Sequence, residues 1–223
     1  AQVGGGVQQV LVVGAGIDPS RVIAVNLDAG TDNEDLLNSP TYLGNRHARV
    51  RGKEYDRLIA EDLKVASELF PHALLHFEDF GPSNARRILQ DNAEDYRIFN
   101  DDMQGTGAIV TAAVMSGMRV SGTNFSDQKV VVYGAGTAGT GMADQLRAGM
   151  VRDGLSEKEA TARVWLIDIE GLVTDDMDDL PAYQQAYARP ADEVKSWKRQ
   201  DGKIGLAEVV RRVKPVSYTH LTL

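Results

Sequence analysis

Apolar and polar residues alternate along the chain in patterns that predict short strands and amphipathic helices. Between Gly52 and Phe70 apolar residues recur at helical spacing, which predicts a helix with one buried face. Short apolar runs ending in a turn predict buried strands. The predicted strands lie at residues 10–13, 21–27, 73–75, 98–99, 129–133 and 164–167. The other predicted helices lie at residues 83–92, 105–118 (largely buried), 137–150 and 206–213, with a partly helical segment at residues 183–197.

Composition and charge narrow the class of protein. The 223 residues can bury a sizeable core and hold one large domain or two modest ones. Hydrophobic and charged contents of 43% and 25% are typical of soluble globular proteins, and a net charge of −8 argues against a nucleic-acid or anionic-membrane partner. The chain has no cysteine and no apolar run near the ~20 residues that span a bilayer. We therefore expect a cytoplasmic location.

Two pairs of carboxylates follow apolar runs. Glu78 and Asp79 come after one predicted strand, and Asp101 and Asp102 come after the next. Acids at strand ends can converge at one rim of a sheet, and converging carboxylates favour a divalent cation bound through oxygen, Mg²⁺ or Mn²⁺. Acidic residues are also common in solvated turns. The pattern alone leaves both interpretations open.

A glycine-rich turn follows a predicted strand at two places. After the first, Gly14-Ala15-Gly16, Pro19 replaces the third small residue and cannot donate a backbone N–H to a phosphate. After the second strand, residues 129–133, the sequence continues Gly134-Ala135-Gly136-Thr137-Ala138-Gly139 and then a helical pattern. Strand, glycines and helix form the context of a dinucleotide-binding turn. We predict the site at the second place.

Each part of this second motif has an expected role. Gly134 permits the tight turn, Gly136 lets a pyrophosphate approach the backbone, and Gly139 allows close packing of helix and strand. Asp168 ends the next predicted strand and can hold a ribose hydroxyl. A capping box at Ser156 and Glu159 opens an inserted helix, which accounts for the long spacing to Asp168. The predicted cofactor-binding residues are Gly134, Gly136, Thr137, Ala138, Gly139 and Asp168.

With these motifs placed, the chain resembles the malic enzyme family over roughly residues 14–215. The resemblance implies that Glu78, Asp79 and Asp102 are the metal ligands, and that the neighbouring Asp101 has a catalytic role. It implies malate as substrate, NAD as cofactor, and Mn²⁺ or Mg²⁺ to polarise the carbonyl group. The segments that carry it are residues 77–81, 99–106 and 134–139, with 28–33, 42–47 and 171–172 in support.

The chain departs from the family pattern in its catalytic groups. The family's catalytic tyrosine and a substrate-binding arginine would lie before Ala1, and its substrate asparagines would lie beyond Leu223. Its general-base lysine belongs shortly before Gly14, where Val7 stands. We therefore expect a central fragment that is inactive alone.

Together these observations predict an α/β protein. A Rossmann-type parallel-sheet domain at residues 104–223 would follow part of an α/β metal- and malate-binding domain at residues 1–103. The expected reaction is NAD-dependent oxidative decarboxylation of malate to pyruvate, and the longer protein is expected to form a homo-oligomer. The alternatives are a malolactic enzyme that releases lactate, a non-catalytic NAD-binding module, and an amino-acid dehydrogenase.

Overall fold

The computed structural model describes residues 10–215 and 217–220, and its elements alternate between helix and strand. Short 3₁₀ or π turns lie at Val10–Gly14, Pro19–Arg21, Asp101–Gly105, Phe125–Asp127 and Ala191–Val194. The helices are α1 Glu34–Asn38, α2 Lys53–Leu69, α3 Pro82–Asn92, α4 Thr106–Ser121, α5 Thr137–Arg152, α6 Glu157–Thr161, α7 Ala182–Gln185 and α8 Leu206–Val213. The strands are β1 Leu75–Phe77, β2 Ile98–Asn100, β3 Val130–Tyr133, β4 Val164–Asp168, β5 Gly171–Leu172 and β6 Ser217–His220.

These elements fall into two units. The first contains the residues up to Asp79 together with Asp95–Arg97, and the second contains Phe80–Glu94 and the chain from Ile98 onward. Helix α3 therefore belongs to the second unit, although it precedes residue 103. The domain boundary expected near residue 103 stays a prediction.

The first unit is built on the amphipathic helix α2. Its buried residues Tyr55, Ile59 and Leu63 recur at four-residue spacing, as the sequence pattern predicts. Glu54 and Asp56 lie in its first turn, where negative charge interacts favourably with the helix dipole. The Leu75 N–H of β1 donates to the carbonyl of Arg97, another residue of this unit, at 2.8 Å.

A four-stranded sheet of order β5-β4-β3-β6 forms the centre of the second unit. Strands β4, β3 and β6 are parallel, with Val131 opposite Trp165, and β5 is antiparallel to β4. Because neighbouring side chains in a strand point to opposite faces, the sheet has a core on each side. One core holds Val130, Val132, Val164 and Leu166; the other holds Val131, Trp165, Ile167, Val209 and Val213. The predicted Rossmann-type α/β class is confirmed.

Helix α5 covers the first of these cores. Met142, Leu146 and Met150 lie at four-residue spacing on its inner face and are fully buried. The capping box predicted for α6 is present, because Ser156 N–H donates to Glu159 and Glu159 N–H donates to Ser156. Helix α8 has the predicted bounds and covers the opposite core.

Three expectations from the sequence are wrong. Residues 10–13 belong to a π-helical turn, and residues 21–27 form no strand. A strand needs a partner for its N–H and C=O groups, and no strand in the described chain pairs with either segment. Helix α4 is not largely buried, because Ile109 and Val120 are 74% and 90% exposed. In the described chain only its face at Gly107, Thr111 and Met118 is buried.

None of the helices in the described part of the chain combines the length and hydrophobicity that a bilayer crossing requires.

Candidate functional site

The glycine turn between β3 and α5 has the backbone geometry that its sequence predicts. Gly134 has φ +106°, a conformation that side-chain-bearing residues rarely adopt, and its N–H donates to the Ile167 carbonyl at 2.9 Å. A Cβ atom at Gly139 would lie 1.8 Å from the Gly134 carbonyl oxygen. A side chain at residue 139 would therefore force the turn away from the helix.

The N-terminal end of α5 is open to a ligand. Gly136 is the N-cap residue, and no side chain caps this end of the helix. A Cβ atom at Gly136 would meet no other atom within 4 Å. The first N–H groups of a helix lack intrahelical partners and carry partial positive charge, so this end can accept a phosphate group.

Asp168 lies at the end of β4, beside the glycine turn. Its Oδ2 accepts a hydrogen bond of 2.7 Å from Nε2 of Gln184, which also donates to the Ala135 carbonyl at 2.9 Å. Burial, and then the negative charge of Asp168, raise the pKa of the Tyr183 phenol, so Tyr183 keeps its proton near Asp168. The structure thus brings Gly134, Gly136 and Asp168 to one edge of the sheet.

The acidic turn Asp101–Gly105 is held by its own buried polar groups. Asn100 is fully buried; its side chain accepts from Met103 N–H at 3.0 Å, and its N–H donates to the Gln104 side chain at 3.0 Å. A Cβ atom at Gly105 would lie 1.9 Å from an oxygen of Asp101. The Asp101 carboxylate therefore occupies a place that only a glycine at residue 105 leaves open.

Helix α5 also fixes this turn. Nε2 of Gln145 donates to the Gln104 carbonyl at 2.9 Å. A Cβ atom at Gly141 would lie 2.8 Å from the Met103 carbonyl oxygen, so the helix and the turn approach at backbone distance. Both the glycine turn and the acidic turn are thus anchored on α5.

The other predicted metal ligands lie in the first unit. Glu78 and Asp79 follow β1 directly, and Asp79 has φ +61°. Aspartate tolerates the left-handed region better than most residues, but the conformation is still unfavourable and occurs often at functional sites. The predicted ligands are therefore divided, with Glu78 and Asp79 in the first unit and Asp102 in the second.

The resembling segments at residues 28–33 and 42–47 form a folded loop in the first unit. Asp28 accepts from Gly30 N–H at 2.9 Å and from Asn45 N–H at 2.6 Å, and these bonds lower the pKa of its carboxyl group. Arg46 donates to the carbonyls of Leu37, Ser39 and Tyr42. Asp28 and Arg46 thus stabilise the loop through hydrogen bonds to its own backbone.

The site residues predicted from the sequence do not include Gln184, Gln145 or Gly141. Nothing distinguishes Gln184 from the adjacent, exposed Gln185 until the fold is known. Gly141 does carry a signal, because a glycine inside a helix costs about 0.5–1 kcal/mol relative to alanine and often marks a close backbone approach.

A strand, a glycine turn, a helix and a parallel strand that ends in an acid define a Rossmann-type dinucleotide-binding fold. Residues 103–218 match the family described as "Malic enzyme, NAD binding domain", and residues 2–93 match "Malic enzyme, N-terminal domain". The chain belongs to the malic enzyme family, and the resemblance seen in its motifs is confirmed.

Known relatives extend this result. NAD-dependent malic enzyme 3 of Bacillus subtilis is 55% identical over 92% of this chain, and the malolactic enzyme of Lactiplantibacillus plantarum is 42% identical over 92%. The chain spans about 37% of the length of each relative. The structure of the NAD-dependent malic enzyme of Thermotoga maritima has a TM-score of 0.57 at 21% identity, covering 79% of this chain and 42% of its own. This structural similarity supports a shared fold.

Proposed function

We propose that this chain is part of an NAD- and divalent-metal-dependent enzyme that oxidises malate and decarboxylates it to pyruvate and CO₂. The observation that carries the proposal is the glycine turn with Asp168 at the edge of a parallel sheet, in a chain of the malic enzyme family. The small-molecule substrate, homo-oligomerisation of the longer protein and a cytoplasmic location belong to the same proposal and are supported by family membership alone.

The residues of the second unit fit NAD. The open space at Gly136 and the uncapped first turn of α5 suit the pyrophosphate. Asp168 would accept a hydrogen bond from a ribose hydroxyl and would repel a 2′-phosphate, which favours NAD over NADP. When bound, NAD supplies the acceptor for the hydride that leaves malate.

A metal site at Glu78, Asp79 and Asp102 is supported by the chemistry of these side chains. All three offer carboxylate oxygen, the donor that Mg²⁺ and Mn²⁺ prefer. The buried side chain of Asn100 and the positive φ of Asp79 indicate that these acids belong to constrained turns. A bound Mn²⁺ or Mg²⁺ would supply polarisation of the substrate oxygens.

The substrate is expected next to Asp101. An open cleft on the surface is lined by Asp101, Gly105, Thr106 and residues 108–110 of α4. We propose that Asp101, held against Gly105, orients groups at the edge of this cleft.

A malolactic reaction is the second candidate, because one of the relatives is named a malolactic enzyme. In that reaction the cofactor remains bound and lactate leaves in place of pyruvate. Measuring pyruvate against lactate after incubation with malate separates the two reactions in a catalytically complete longer protein.

The metal proposal is tested by binding of Mn²⁺ alone. Electron paramagnetic resonance and thermal unfolding should show Mn²⁺ binding and a rise in melting temperature by mass action. Asp102→Asn keeps the shape of the side chain but removes its charge, so it should reduce both signals. The matched control is Asp176→Asn in an exposed acidic loop.

Two results would contradict this proposal in different ways. Equal effects of Asp102→Asn and Asp176→Asn would show that the acids are solvated turn residues. NAD binding in titration calorimetry without any Mn²⁺ binding would favour the non-catalytic NAD-binding module.

A further inference from the structure

Gln184 hydrogen-bonds to both parts of the proposed NAD site, the glycine turn and Asp168. It is 4% exposed and lies on the short helix α7, which follows β5 in the chain. Its single amide nitrogen donates to the Ala135 carbonyl at 2.9 Å and to Asp168 Oδ2 at 2.7 Å. A side-chain amide nitrogen has two hydrogens, so these bonds use both of them.

These two bonds fix the distance between the glycine turn and the acid. A carboxylate at a strand end can otherwise rotate about its side-chain bonds. With Oδ2 bound to Gln184, the orientation of the carboxyl plane of Asp168 is set relative to Ala135. A hydrogen bond to a charged group contributes more than one between neutral groups, so this constraint is strong.

We propose that Gln184 is a positioning residue for the dinucleotide: it holds Asp168 so that the other carboxylate oxygen meets the adenosine ribose. The proposal rests on NAD binding in the proposed function. A preformed acid binds NAD without being ordered first. An acid that cannot rotate away also stays directed at a 2′-phosphate and repels it, so Gln184 sharpens the choice of NAD over NADP.

A nearby residue separates this role from plain stabilisation of the fold. Tyr187 lies three positions further along, is also buried, and donates to Asp144 on α5 at 2.6 Å. Asp144 is not a residue of the glycine turn. Loss of the Tyr187 hydrogen bond should therefore weaken the fold and leave nucleotide preference unchanged.

The experiment measures the dissociation constants of NAD and NADP for the 223-residue chain by titration calorimetry. Gln184→Met keeps the shape of the side chain and removes both donors. We expect NAD to bind about tenfold more weakly, since one hydrogen bond to a charged group is lost at the site. NADP binding should change less, so the ratio of the NADP constant to the NAD constant should fall.

Three variants complete the experiment. Gln184→Asn keeps the amide but is one methylene shorter and cannot span both acceptors, so its NAD affinity should lie between those of wild type and Gln184→Met. Tyr187→Phe should lower the melting temperature with both nucleotide constants unchanged. Gln185→Met removes an exposed glutamine that donates to the Leu180 carbonyl and should change neither quantity.

The outcomes separate this inference from the proposed function. If the wild-type chain does not bind NAD, the proposed cofactor role fails and the inference falls with it. If wild type binds NAD and Gln184→Met has the same NAD affinity and the same NADP to NAD ratio, only the role of Gln184 is overturned. That role is also overturned if Tyr187→Phe changes the ratio as much as Gln184→Met does.

Discussion

The glycine turn and the acidic residues are two candidate binding regions built in different ways. The glycine turn uses backbone groups between Gly134 and Gly139, and all its parts lie in the second unit. The acidic region uses side chains from two turns, with Glu78 and Asp79 in one unit and Asp102 in the other. A backbone site is set by local sequence, whereas a side-chain site depends on tertiary structure.

This difference explains why the two regions can be tested separately. NAD binding depends on φ angles and close approaches that the second unit supplies by itself. Metal binding and catalysis require several side chains to be held together in one geometry. We expect changes in the glycine turn to alter nucleotide affinity. Changes in the acidic region should alter metal affinity and turnover.

The largest expected effect concerns turnover. We predict that the 223-residue chain binds NAD but does not oxidise malate, because a general base typically contributes about 10²–10⁴-fold and Val7 cannot ionise. The measurement is NADH absorbance with malate, NAD and Mn²⁺. A chain extended to the length of its relatives, with Val7→Lys, should gain at least that factor. Substantial turnover by the unmodified chain would show that another residue acts as the base.

The second prediction compares two glycines of the same turn. Gly139→Ala places a methyl group against the Gly134 carbonyl oxygen and should destabilise the fold by about 3 kcal/mol. Gly136→Ala meets open space, so it should keep the melting temperature and weaken NAD binding only. Urea unfolding and NAD titration distinguish the two effects. Equal stability of the two variants would contradict the geometry of the turn.

The third prediction concerns the contact between α5 and the acidic turn. Gln145→Leu removes the hydrogen bond to the Gln104 carbonyl and should weaken Mn²⁺ binding by about fivefold, which corresponds to about 1 kcal/mol. The matched control, Gln185→Leu, also removes one bond from a glutamine to a backbone carbonyl. If both variants bind Mn²⁺ like wild type, α5 does not position the turn.

The last prediction concerns a dependence of stability on pH away from both regions. Three hydrogen bonds lower the pKa of the buried Glu208 carboxyl group from 4.5 to about 2. The bond from Arg211 has the largest effect, followed by those from the Lys198 N–H and Arg212. Because the folded pKa is the lower one, the stabilisation is complete above pH 4.5 and is lost as the pH falls toward 2.

Urea unfolding between about pH 2 and pH 6 measures this dependence. Glu208→Gln should flatten the loss of stability in that range. Glu157→Gln is the control, because Glu157 is 78% exposed and its ion pair with Arg147 spans 3.8 Å. An unchanged pH profile in Glu208→Gln would contradict the prediction.

The parts of the fold that follow local rules were predictable. Helix α2 has a clear apolar face, α6 has a capping box, and the β3–α5 turn has glycines at the required spacing. In each case the signal lies within a few residues of the element that it predicts. The predicted positions of Gly134, Gly139 and Asp168 at one sheet edge follow from these signals.

The errors and omissions share a different cause. Residues 21–27 have strand composition but no partner strand in the described chain, and pairing is a tertiary property. Helix α4 is apolar on a face that the described residues leave exposed. Gln184 acts through residues 16 and 49 positions away. Sequence periodicity reports which face is apolar, but not what covers it.

The ion pair between Arg86 and Asp144 has a consequence for dissecting the chain. Arg86 lies on α3, inside the match to the N-terminal family, yet its guanidinium is 2.5 Å from Asp144 on α5. A shortened protein beginning at residue 103 would keep the Tyr187 hydrogen bond to this half-buried carboxylate but lose its guanidinium partner. A shortened protein that begins at residue 80 retains both partners of Asp144. Its backbone amides in α5 should therefore exchange with deuterium more slowly than those of the protein that begins at residue 103.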